Sequence, residues 1–147
     1  MKIRVGVSAV AIVICSTVAY AQSVSLRDRE YYAAQDKYLA DKVPYLNEKC
    51  GTSLAVKIDW STPPAPEDRN TYSAYGHCEA ALDGVRRVCE MSAAGKDAVK
   101  QKIKSVTCTF GPQRSVALKD GAIDYKVNFK QSSNDVDFVF EYLQNNL

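Results

Sequence analysis

The chain has 147 residues with 19 basic and 17 acidic side chains, a formal charge of +2, and 46% hydrophobic residues. That length suits one ordinary domain, and the charge is too small for the long-range field that draws nucleic acid or anionic lipid. Five cysteines, a single histidine and nine tyrosines are the compositional features that bear on function.

Lys2 and Arg4 precede an apolar run from Val5 to Ile14, the charged-then-apolar order of a secretory signal. The run falls short of the about 20 apolar residues that span a bilayer. Ala19 and Ala21 flank Tyr20 in an A-x-A pattern, so cleavage is expected between Ala21 and Gln22. The expected organisation is a cleaved signal over 1–21 and one domain over 22–147, secreted or periplasmic, with no stable membrane anchor. Cys15 follows the bulky Ile14, which argues against lipid attachment there. Cleavage removes Lys2 and Arg4, leaving seventeen bases against seventeen acids. The basic stretch from Arg86 to Lys104, diluted by Glu90 and Asp97, reads as a solvated helical face.

From Ser25 to Lys49 apolar residues recur at helical spacing, with Ser25 as a cap and Pro44 expected to kink or restart the helix. Tyr31, Tyr38 and Tyr45 recur every seven residues beside the stripe of Tyr32, Leu39, Val43 and Leu46. After Gly51, Leu54, Val56, Ile58 and Trp60 alternate with Ala55, Lys57 and Asp59, which predicts a strand. Pro63, Pro64 and Pro66 make Ser61–Asn70 read as a surface loop.

A second helix is expected from about Tyr75 to Ala93, with Gly84 as an unfavourable interior residue. Gly95 reads as punctuation before a short helix over Lys96–Lys104. Strands then follow at Val106–Phe110, from Val116, and at Ile123–Phe129, the last two joined by an Asp120-Gly121 turn of type I′. Asn134 is expected to cap a final helix with Asp135 and Asp137 in its first turn, a fourth meander strand being the alternative.

These elements predict a two-layer α+β domain. Its mostly antiparallel sheet, one strand plus a three-stranded meander, has helices covering one face.

Cys50, Cys78, Cys89 and Cys108 survive cleavage, and an even number in an exported chain predicts two disulfides. No C-x-x-C pair supports a metal site. Cys78 and Cys89 share one predicted helix, about 16 Å apart, beyond the about 7 Å that a disulfide tolerates. Two pairings remain, and a direct return of the chain favours Cys50–Cys89 with Cys78–Cys108 over Cys50–Cys78 with Cys89–Cys108.

No catalytic constellation is visible. His77 lacks a G-x-S-x-G companion and reads as a surface or capping residue. Glu79, Asp83 and Arg87 have the spacing of a salt-laced helix face. Asp135 and Asp137 lack the glycine and distal glutamate of a calcium loop, and read as helix-end charge. Neither metal nor cofactor is expected, and no nucleic-acid partner. Tyr31, Tyr38 and Tyr45 offer a binding surface, because tyrosine combines large area with a polar tip. The expected function is a non-catalytic exported module, an inhibitor or accessory factor for a protein or envelope component. A small hydrolase using His77 or a carboxylate, and a structural envelope protein, are the alternatives.

Overall fold

The computed structural model describes residues 24–131 and 133–147. The expected signal over 1–21 lies outside the described residues. Helix α1 spans Leu26–Ala40, α2 Val43–Cys50, α3 Pro66–Thr71, α4 Ala74–Met91, α5 Ala93–Lys102 and α6 Asp135–Asn146. Strands β1 Ala55–Ile58, β2 Ser105–Phe110, β3 Ser115–Lys119 and β4 Ala122–Val127 form one sheet in the order β1-β2-β4-β3.

Local signals set the helix ends. The Ser25 hydroxyl accepts from the Asp28 amide at the start of α1. Pro44 falls in the first turn of α2, where a missing amide donor costs nothing, so the chain restarts instead of bending. Gly51 ends α2 with φ of 67°, a left-handed conformation open to glycine. The Asn47 side chain then accepts from the Thr52 hydroxyl and the Leu54 amide, both at 2.9 Å, and aims the chain into β1. Ser92 both closes α4 and caps α5, where it accepts from the Gly95 amide at 3.0 Å. The break therefore comes three residues before Gly95, which sits inside α5.

Two further expectations are corrected here. Ser61–Asn70 is not all loop, because Pro66 opens α3, and the fixed φ that breaks a helix interior suits its first residue. The sheet is mixed and contains no meander. β1 and β2 run parallel, β2 and β4 run parallel, and only β3 pairs antiparallel with β4. The Asp120-Gly121 hairpin forms, with φ of 53° and 84°. Beyond it β4 inserts between β2 and β3. Ile123, Tyr125 and Val127 of β4 are buried, whereas Val116 and Leu118 of β3 are half-buried, so the strand with more apolar surface takes the interior place. The exposed edge of β3 is partly closed by α6, where the Tyr142 hydroxyl accepts from the Leu118 amide at 2.9 Å.

The core gathers around α4, which contacts α1, α2, α5, α6 and the strands β2 and β4. Gly84 has a packing reason: a Cβ there would stand 2.8 Å from Val139 of α6. Cys50 bonds Cys89, joining the ends of α2 and α4, and Cys78 bonds Cys108, joining the start of α4 to β2. Their Cα separations are 5.3 and 5.7 Å. No helix among the described residues is long and apolar enough to cross a membrane.

Candidate functional site at the carboxyl ends of the parallel strands

Because β1, β2 and β4 run parallel, Ile58, Phe110 and Val127 end at one edge of the sheet. A crevice beyond the carboxyl ends of parallel strands is where open α/β sheets commonly hold ligands. Here the edge carries a seam of aromatic rings. Tyr32 of α1 stacks on Trp60 at 4.2 Å, Trp60 on Phe110 at 5.5 Å, and Phe129 on Tyr72 at 5.2 Å, while Phe110 and Phe129 meet at 5.7 Å. The Trp60 indole donates to Asp36 at 3.0 Å. Outside the seam, Pro63, Pro64 and Pro112 wall a groove of about 520 Å³ floored by Phe110 and Phe129, with Asp68 and Lys130 at its sides.

The seam ends at a polar cluster. His77 meets the Phe129 ring edge-on at 4.9 Å, and its Nδ1 lies 3.1 Å from an Asp135 carboxylate oxygen. The other Asp135 oxygen accepts from Arg114 at 2.7 Å. Arg114 also donates to the Ser133 carbonyl and the Asn134 side chain, and stacks over Phe138 at 4.2 Å. From the sheet side the buried Tyr125 hydroxyl lies near the same carboxylate but makes no hydrogen bond of full geometry. Burial pushes the Asp135 carboxyl up, yet His77, Arg114 and the Tyr125 hydroxyl outweigh it and hold the group below its usual range. Burial and the Asp135 charge push the Tyr125 hydroxyl strongly upward.

His77 is thus neither a cap nor a free surface residue. Asp135, read as helix-end charge, is 5% exposed and joins α6 to α4 and to the turn before β3. Asn134 does occupy the cap position, but with φ of 68° and no side-chain capping bond. Chemically, a histidine held by a carboxylate is two thirds of a hydrolytic triad. No hydroxyl or thiol among the described residues is hydrogen-bonded to His77 to complete it. A carboxylate held by an arginine on one side and a histidine nitrogen on the other is also how a buried charge is stabilised.

The remaining residues singled out by sequence separate. Glu79 pairs with Lys42 at 2.8 Å, Asp83 with Arg86 at 3.1 Å, and Arg87 reaches across to Asp137. Tyr31 packs edge-on against Trp60 with its hydroxyl buried, and burial raises that hydroxyl against the opposing Ala74 backbone and Arg69. Tyr38 on α1 is 51% exposed and tilts against Tyr75 at 5.1 Å, and Tyr45, beyond the break on α2, is 54% exposed with Lys49 over its ring. Among the described residues no group of three or more potential ligands could hold a metal ion.

Comparison with known protein families, with curated proteins and with solved structures finds no match for this chain.

Proposed function

We propose that the chain is exported as a precursor, cut between Ala21 and Gln22, and acts outside the cytoplasm as a two-layer, disulfide-stapled module. It binds a protein or envelope component without catalysis, as an inhibitor or accessory factor does. Two disulfides belong to an oxidising compartment. The observation that carries the binding reading is the exposure of Tyr38 and Tyr45, 51% and 54%, on consecutive helices of a disulfide-anchored frame. Large rings held at the surface on rigid elements lose little entropy when a partner covers them.

The test is affinity capture from the envelope with the wild type and with Tyr38→Ala/Tyr45→Ala. One stoichiometric partner, kept by the wild type and lost by an equally stable variant, supports the reading. Recovery of no partner favours a structural envelope protein. Intact mass of the exported product gives the export part separately, and a first residue other than Gln22 overturns the cleavage site.

The hydrolase reading draws support from one geometric fact, the His77–Asp135 pair. If His77→Ala abolishes a measured turnover while the fold persists, the non-catalytic reading is wrong.

A further inference from the structure

The described part of the chain carries its positive charge unevenly. Four of the described arginines sit in ion pairs: Arg69 with Asp28, Arg86 with Asp83 and Glu90, Arg87 with Asp137, and Arg114 with Asp135. Lys37 and Lys42 are paired as well. Residues 96–130 hold eight bases against three acids; three of the bases lie on α5 and Arg114 is paired, which leaves Lys104, Lys119, Lys126 and Lys130 on and beside the strands β2, β3 and β4. Near-neutral totals conceal this segregation.

Side chains alternate across a strand, so the register defines a second sheet face that points away from Ile123 and Tyr125. One row across it reads Lys57, Thr107, Asp124 and Ala117, and the flanking rows end in Lys119 and contain Lys126. Lys57, Lys119 and Lys126 are exposed, and none forms an ion pair among the described residues. Between them stand small residues, Ala117 and Ala122 exposed and Thr107 and Thr109 half-buried, with no aromatic ring. Asp124 is the one acid on this face of the described strands, and the Thr109 hydroxyl donates to it at 3.4 Å.

We propose that this lysine-bearing sheet face docks reversibly on the phosphate headgroups of an anionic lipid leaflet. A groove for one anion would gather its cations around a concavity, and bidentate recognition would use arginine forks. Here the cations are lysines, one on each of three strands and spread over an even surface of small side chains. Dispersed point charges match a dispersed planar charge. This proposal stands apart from the tyrosine surface, which lies on α1 and α2.

The experiment is flotation of the exported, oxidised protein with two kinds of vesicle, phosphatidylcholine alone and an equal mixture of phosphatidylcholine and phosphatidylglycerol. The protein floats with the mixture only, and less so as salt rises. Replacing Lys57, Lys119 and Lys126 together by Gln weakens partition roughly a hundredfold, and replacing them by Arg leaves it nearly unchanged. Asp124→Asn strengthens it by about fivefold, a gain that misfolding does not produce. Equal flotation with neutral vesicles, flotation with neither kind, or indifference to the Gln and Asn changes overturns the proposal. So does capture of an acidic protein by the same face while vesicles are ignored.

Discussion

His77 and Asp135 stand 58 positions apart in the chain, and in the fold their side chains approach to 3.1 Å. Arg114 reaches the same carboxylate from the turn before β3, so one buried acid fastens α4, α6 and the sheet edge. Without the arginine the buried charge keeps only the His77 contact and the nearby Tyr125 hydroxyl, and breaking a buried ion pair costs about 3–5 kcal/mol. Arg114→Ala is therefore expected to lower folding stability by several kcal/mol, and denaturant melts measure it.

The same carboxyl makes stability depend on pH. Its native pKa lies below the ordinary value, so the stability it lends is present above about pH 4 and is lost as pH falls through the depressed native value. Urea melts of the wild type and of Asp135→Asn should differ most at neutral pH and converge in acid. A difference that persists unchanged into strong acid would show that the carboxyl is not held in its charged form.

Little of this cluster was legible in the sequence. Asp135 carries the ordinary mark of a helix N-terminus, His77 has no motif, and Arg114 follows a Gly-Pro turn, so each has an adequate local explanation. Their meeting depends on the α4–α6 crossing, which is tertiary. Elements were legible where one period and one cap agree, as in β4, whose Ile123, Tyr125 and Val127 are all buried, and at Ser25. Strand order was not, because alternation tells which face is buried and is silent about the neighbour. Pro66 resembles a breaker beside Pro63 and Pro64, although Glu67 and Asp68 in the following turn mark a helix start.

Gly84 carries a signal that sequence inspection reads as a flaw. Alanine there gains about 1 kcal/mol of helix propensity, but its methyl meets Val139 at 2.8 Å, and overpacking costs about 1–3 kcal/mol. Gly84→Ala should be destabilising on balance. Pairing it with Val139→Ala should recover part of the loss, a coupling that a double-mutant cycle resolves.

The two crosslinks close spans of 39 and 30 residues. Loop-entropy estimates for such spans give about 4 kcal/mol each. Replacing Cys50 and Cys89 together by Ser is expected to cost nearly that much in a denaturant melt. A non-reduced tryptic map of the wild type should join the Cys50 and Cys89 peptides, and recovery of Cys50 with Cys78 would contradict the fold.

The three regularly spaced tyrosines should part company under mutation. Tyr31 rests against Trp60 with its hydroxyl buried, so Tyr31→Ala opens a space in the aromatic seam and costs about 2–4 kcal/mol of folding free energy. Tyr45 stands free apart from the lysine over its ring, and Tyr38 touches Tyr75 from a largely exposed position. Truncating either should shift stability by no more than about 0.5 kcal/mol, the usual range for surface changes. Loss of partner affinity in Tyr38→Ala and Tyr45→Ala at unchanged melting would then belong to the interface itself. The same loss in Tyr31→Ala would report damage to the frame. If instead Tyr38→Ala lowers stability as much as Tyr31→Ala, its ring is a core element and the proposed binding surface loses its main support.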